Sequence, residues 1–217
     1  MKRQSKSAAV LAAVKAKRGY LLPYHRLLAA TDPDLLAAYD AYYERLTLLP
    51  RALTPRQREL VWTALQLAAR EAHGSIHLRR ADKAGIPHGR LADAVALAAA
   101  AESLVALDYA AEHWANWVPA GPARQRYLKL ATAARGNIDR RLAEIILVVC
   151  HAARRSYGGM RFHLPRAFKA GATVPELAEA LSYMLLPCGG PALIDAVQCW
   201  ADAAVARLCP APYPPGE

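Results

Sequence analysis

The chain has no Cys-x-x-Cys pair, and its four cysteines, Cys150, Cys188, Cys199 and Cys209, fall at no zinc-ligand spacing. That excludes a zinc ribbon and a vicinal dithiol, and leaves reduced, buried thiols that behave as small hydrophobes. Sustained period-two alternation is missing too, so no sheet is expected. Phenylalanine occurs only twice in 217 residues, while Ala and Leu dominate. With few β-branched runs, that is the profile of an all-α protein. Long uncharged apolar runs are also lacking: the most apolar region, 91–101, is about half of the ~20 residues that a bilayer span needs. The N-terminal Lys2, Arg3 and Lys6 precede a short Ala-rich run that rejoins charge at Lys15, Lys17 and Arg18, which predicts an amphipathic helix rather than a signal peptide. A cytoplasmic protein with no membrane partner is the expectation.

The net charge is +10. The basic residues are spread along the whole chain and do not interleave with aromatics in a stripe, so a nucleic-acid partner is not expected. A basic surface of this kind also draws in small anions.

What is present is a repeat. His77-Leu78-Arg79-Arg80-Ala81 returns as His163-Leu164-Pro165-Arg166-Ala167, Lys83-Ala84-Gly85 as Lys169-Ala170-Gly171, and Trp114-Ala115 as Trp200-Ala201, all 86 residues on. The punctuation fits two copies of one helical module. A first helix is expected over 5–18, stopping at Gly19. Residues 20–26 read as irregular and aromatic, and Asp32-Pro33 as an N-cap with Pro in the first turn. Thr54-Pro55-Arg56-Gln57 is a capping box opening a helix over 57–70. A break at Gly74, a short helix to Gly85 and a long helical region over 91–117 follow. Pro119-Ala120-Gly121-Pro122 reads as the clearest linker. The second copy predicts a helix over 138–155, a Gly158-Gly159 break, a short helix to Gly171, and a capping box at Thr173-Val174-Pro175-Glu176. A turn at Pro187-Cys188-Gly189-Gly190 then precedes a last helix. The expected organisation is thus an N-terminal helical extension (1–50), a first module (51–118), a linker (119–136), a second module (137–208) and a Pro-rich tail (209–217).

Each copy carries a Glu early on its first helix and a His on the short helix after the break: Glu59 with His77, and Glu144 with His163. Consecutive helices joined by a tight turn pack antiparallel, so the two can meet. Glu144 precedes Ile145-Ile146-Leu147-Val148-Val149, and a carboxylate in so apolar a helix needs a partner. Such a couple can hold a proton near neutral pH, or it can simply tie two helices together. Arg80 and Arg166 stand one turn after each His, placed to bind a carboxylate or merely to solvate the helix. Arg161, two residues before His163, has no basic counterpart, which makes the second site the better equipped. His73 and His77 are spaced for a metal, but only Glu71 stands near as a third ligand and Gly159 stands for His73 in the second copy, so no metal is expected.

Arg161-Phe162-His163-Leu164, the run Lys169-Ala170-Gly171-Ala172-Thr173-Val174-Pro175-Glu176-Leu177-Ala178-Glu179-Ala180 and Leu186-Pro187-Cys188-Gly189-Gly190-Pro191-Ala192 resemble the carboxymuconolactone decarboxylase and AhpD-like alkylhydroperoxidase superfamily. The likeness covers about 50–118 and 137–206, as a tandem of two AhpD-like helical modules. The peroxidase branch would place thiols where Ser156 and Gly159 stand, and Arg70 and His73 in the first copy, so the resemblance disfavours thiol peroxidase chemistry. The decarboxylase branch, which converts 4-carboxymuconolactone to an enol-lactone in aromatic catabolism without a cofactor, keeps the His and commonly an Arg two residues before it. It implies His163, Glu144 and Arg161 as catalytic, His77 and Glu59 as a second site or its vestige, and a small anionic substrate held by Arg166, Arg80, His73 or Tyr24. Pro165 is expected to kink its helix and shift Arg166, and Tyr20, Tyr24 and His25 have no counterpart in a single module. Ring assembly of single modules implies a homo-oligomer, a trimer as the first guess. Two alternatives stand: a catalytically silent binding or assembly protein, and an oxidoreductase assisting a partner protein, which would need Cys150 or Cys188 exposed and reactive. An open pocket reaching His163 favours the enzyme, and a sealed pair favours the scaffold.

Overall fold

The computed structural model describes residues 2–214, with side chains from residue 5 on; Lys2 and Arg3 as side chains and the end of the Pro-rich tail, 215–217, lie outside the described residues. Among these there are eleven α-helices and two 3-10 turns and no strand. Two compact units divide at residues 49 and 50.

The first unit holds α1 (Lys2–Arg18), α2 (Pro23–Thr31) and α3 (Pro33–Thr47). Its apolar centre is Val14, Ala29 and Leu36. Asp32 caps α3 through the Leu35 N–H. The aromatic segment after Gly19 is irregular only over 20–22: Pro23 opens α2, since a proline in the first helical turn loses no hydrogen bond. Arg18 is buried under Tyr43, its guanidinium 3.7 Å from the ring centre and 2.7 Å from Asp40. Asp40 is itself desolvated, yet Lys17 and Arg18 outweigh burial and hold its carboxyl below the usual range.

The second unit contains α4 (Pro55–Ala68), α5 (Ser75–Lys83), α6 (His88–His113), α7 (Ala120–Ala134), α8 (Arg140–Ala153), α9 (Tyr157–Lys169), α10 (Val174–Ser182) and α11 (Gly189–Val205). Capping boxes at Thr54/Gln57 and Thr173/Glu176 start α4 and α10 as the residues predict. Eleven of the fourteen residues of α8 are buried, so it is apolar all round and sits at the centre. The expected linker is largely helix α7, with Pro119 as its N-cap. The Gly158-Gly159 break is the first turn of α9; the chain instead turns at Arg154–Ser156, where Arg155 takes φ of 54°.

The copies share their register in two stretches. Arg70 and Arg155, 85 residues apart, both turn the chain with positive φ. Gly74 and Gly159 each lie so close to a side chain, Gln66 or His151, that a Cβ would collide with it. The counterpart of Gly159 is therefore Gly74 rather than His73, and the offset becomes 86 from His77 onward. The copies face each other reciprocally across α4 and α8. Leu53 N–H donates to Glu179 (2.8 Å), and Asn137 N–H donates to Asp93 (2.9 Å), an acceptor 86 residues earlier.

Their ends differ. The first copy finishes in the unbroken 26-residue α6. By length and composition alone α6 could cross a membrane, more than the uncharged run at 91–101 implied, but Ala94, Leu97, Ala98, Ala101 and Leu104 are buried against the neighbouring helices. In the second copy Pro187 and Gly189, the latter at φ of 80°, interrupt the same stretch, so α10, a 3-10 turn at Tyr183–Leu185 and α11 replace one helix. The repeated tryptophans diverge with it: Trp114 is exposed at the end of α6, whereas Trp200 is buried and donates to Pro210 O (2.8 Å).

Candidate functional site

In the second copy α8 and α9 bring Glu144 and His163 together at 2.7 Å, both buried. Arg166, one turn further along α9, closes on the other carboxylate oxygen through Nε (3.0 Å) and Nη2 (2.9 Å). Pro165 does not displace it: α9 runs through the proline. Burial would raise the Glu144 pKa, but His163 and Arg166 outweigh it and hold the carboxyl below its usual range. Burial is the largest influence on His163 and lowers its pKa despite the Glu144 contact, so the imidazole is neutral and the carboxylate ionised.

That fixes the tautomer. A carboxylate only accepts, so His163 Nδ1–H donates to Glu144 and Nε2 carries the lone pair. Nε2 accepts from the Tyr127 hydroxyl at 2.6 Å, and the Tyr127 oxygen in turn accepts from His151 Nε2–H at 3.2 Å. Burial drives the Tyr127 pKa far up and pushes His151 down to about 3, so both are neutral. The result is one buried chain, His151–Tyr127–His163–Glu144, closed by Arg166. Sequence reasoning found its Glu, His and second Arg. It missed Tyr127, which lies in the stretch read as a linker, and His151, which the apolar run of α8 conceals; no spacing signal pointed to either.

A cavity of about 260 Å³ opens onto this couple, lined by Glu144, His163 and Arg166 with Leu147 from α8 and Arg135 and Arg140 at its edge. Arg161 is elsewhere. Two residues from His163 is the opposite side of a helix, and Arg161 is exposed on a separate cavity of about 590 Å³ with Tyr157, Asp195 and Cys199.

The first copy keeps the couple but not the setting. His77 Nδ1–H donates to Glu59 (2.9 Å), and Arg58 meets the other oxygen at 3.2 Å. Trp62, 85 residues before Leu147, stacks on the His77 ring at 4.2 Å and on Tyr183 at 4.8 Å. A cavity of about 370 Å³ on this copy is lined by Thr63, Gln66, Leu67, Leu78 and Val95 among others, and by neither Glu59 nor His77. Burial lowers the His77 pKa. Arg80 sits half-buried on α5, and His73 is exposed in the 3-10 turn Ala72–Gly74. Tyr24 belongs to the N-terminal unit, where its hydroxyl donates to Tyr39 (3.1 Å). Of the expected thiols, Cys150 alone is buried, and burial pushes its pKa up; Cys188, Cys199 and Cys209 are half-buried.

The model of the carboxymuconolactone decarboxylase family matches twice, over residues 33–116 and 120–202. The chain belongs to the carboxymuconolactone decarboxylase family. The matches include α3 and α7, so each family module begins one helix earlier than the repeat read from the sequence, and the α7 that carries Tyr127 is part of the second. No curated protein and no solved structure matches the chain.

Proposed function

We propose that the protein is a cofactor-free decarboxylase, or a related lyase or isomerase, acting on a small carboxylated lactone or similar anion, with its working site in the second module. The observation that carries this reading is the open cavity lined by both members of the Glu144–His163 couple and by three arginines. An arginine-rimmed pocket of that size suits a compact anion.

The chemistry follows from the groups that face the cavity. Arg135 and Arg140 hold the substrate's negative charge. Loss of carbon dioxide leaves the bond's electron pair in a conjugated, enolate-like anion, whose charge Arg166 stabilises. As the anion binds, the Glu144–His163 couple takes up one proton from solvent and passes it to carbon, ending as it began with His163 neutral and Glu144 ionised. Tyr127 acts through His163: by donating to Nε2 it keeps the proton on Nδ1. In the first copy the indole of Trp62 lies over His77, which supports a structural role for that couple.

The test follows ultraviolet absorbance and carbon dioxide release from 4-carboxymuconolactone with wild type, His163→Ala and His77→Ala. Wild type turns over; His163→Ala loses about 100-fold or more, the weight of a general acid; His77→Ala, if folded, stays within a few-fold. Folded wild type without turnover rejects this substrate, and equal losses in both variants reject the assignment to the second module.

A further inference from the structure

The first copy leaves open what the second seals. Leu78 on α5 and Val95 on α6 are 41% and 43% exposed; their counterparts 86 residues on, Leu164 and Leu181, are 0% and 1% exposed. The cause is the last helix. In the second copy the chain turns at Pro187 and Gly189, and α11 folds back on α9 and α10, the helices that carry Leu164 and Leu181. The first-copy counterpart of the start of α11 is the second half of α6, residues 103–113, which runs straight on, and α6 packs against α7 instead. The groove at Leu78 and Val95 thus lacks the cover that α11 gives its equivalent. The segment matching α11 meanwhile shows its own apolar face: Val105, Tyr109 and, just past the helix end, Trp114 and Trp117 are exposed.

The open face of α6 is patterned for a copy of itself. Ala92, Val95, Ala99, Ala106 and Tyr109 are all exposed and recur at alternating three- and four-residue steps, with half-buried Glu102 completing the series. That is the narrow seam of two helices paired at a small crossing angle, not the broad face of a helix on a globular core. Charge does not oppose it. Asp93 accepts from Asn137 N–H (2.9 Å), Glu102 pairs with Arg70 (2.8 Å), and Asp108 lies 3.6 Å from Arg124. Run antiparallel against itself about a two-fold axis, the seam sets Ala92 opposite Tyr109, Val95 opposite Ala106 and Ala99 opposite Glu102, a small side chain against a larger one at every level. Run parallel, it would set Tyr109 on Tyr109 and Ala99 on Ala99, crowding one level and leaving another empty. The antiparallel pairing also lays the second half of each α6 over the groove of the other copy, the place that α11 takes in the second module.

We propose that the chain forms a dimer by antiparallel pairing of α6 from two copies, with Tyr109 of each copy seated against Leu78 and Val95 of the other. The occupant of the groove is thus a second copy of this chain. The pairing is independent of the chemistry at His163, whose cavity is lined from α7, α8 and α9.

Sedimentation velocity on the full chain, carried up to tens of micromolar, reads the assembly directly: the 23.5 kDa chain is expected to sediment at twice its mass. Ala99→Glu changes an exposed position and brings a carboxylate against the partner's Glu102 on both sides of the axis, so it weakens the dimer at least tenfold. A cross-link tests the direction of pairing and serves independently should Ala99→Glu fail to fold. A short bismaleimide joins Val95→Cys chains to Ala106→Cys chains in a mixture, above the wild-type background, and joins neither variant to itself. A wild type that stays monomeric overturns the proposal, and one that then floats with neutral phosphatidylcholine vesicles assigns the face to lipid instead. A trimer overturns it, as does a dimer indifferent to Ala99→Glu, or Val95→Cys chains that cross-link as well alone as in the mixture.

Discussion

Tyr127→Phe isolates one oxygen. The ring keeps its edge-on contacts with His163 (5.4 Å) and His151 (6.2 Å), so no cavity opens. What disappears is a hydroxyl that donates to His163 Nε2 at 2.6 Å and accepts from His151 Nε2 at 3.2 Å. Both imidazoles are buried, with 0% and 1% exposure, so neither stranded nitrogen reaches bulk water. A buried group left without its partner costs about 1–3 kcal/mol, and two such groups give a loss of about 2–6 kcal/mol. In a chain of this length each kcal/mol lowers Tm by about 2–4 °C, so a fall of about 4–24 °C is expected in a thermal melt. The same change leaves His163 Nε2 without its donor, while Glu144 still holds the proton on Nδ1. If the Glu144–His163 couple is the working site, kcat falls while KM holds, because the cavity walls are untouched. A double-mutant cycle with His151→Leu apportions the loss. A Tm within about 2 °C of wild type would refute the chain of hydrogen bonds as drawn, whatever happened to activity.

Acid should destabilise the fold early. His151 is held near 3 against 6.5 when unfolded, so between those values the unfolded chain binds the extra proton and stability falls as pH falls; at pH 5 this group alone costs about 2 kcal/mol relative to pH 7.5. Urea unfolding at the two pH values should show it. His151→Gln should flatten the dependence by that amount, although His163, His77 and His25, lowered in the same direction, keep some of it. The adjacent glycines give opposite outcomes. A Cβ on Gly159 would sit 2.3 Å from His151 Nδ1, so Gly159→Ala is expected to cost about 1–3 kcal/mol. Gly158 has nothing within 4 Å, so Gly158→Ala should be neutral or gain up to about 1 kcal/mol. Denaturant midpoints that move together for the two would contradict the packing.

Much of the fold was legible because it rests on local chemistry. Thr54 with Gln57 and Thr173 with Glu176 announce helix starts through side chains that satisfy the first backbone N–H groups, and Asp32-Pro33 does the same. The Glu–His couples were legible because a carboxylate beside Ile145 and Ile146 must have a partner. What failed was prolines and glycines taken as breaks. Pro119 and Gly158 stand at or just inside helix starts, where a missing N–H or a missing side chain costs little, so α7 and α9 form through them. Arg161 misled because two residues of sequence are about 200° of helix, and adjacency to His163 in the chain is opposition in space.

The two copies show why duplicated residues do not make duplicated sites. Glu59–His77 and Glu144–His163 are nearly the same in geometry, at 2.9 and 2.7 Å. The difference lies in what surrounds them. Where the second copy has Leu147 at the cavity wall, the first has Trp62, whose indole stacks on His77. Where the second has His151 tied to Tyr127, the first has Gln66 with an unmet acceptor. A couple can exchange a proton only with something that reaches it, and the cavity of the second copy is lined by its couple whereas the cavity of the first is not. One substitution thus separates the catalytic reading from the structural one, and Trp62→Leu is the change that would open the first copy to the test the second already invites.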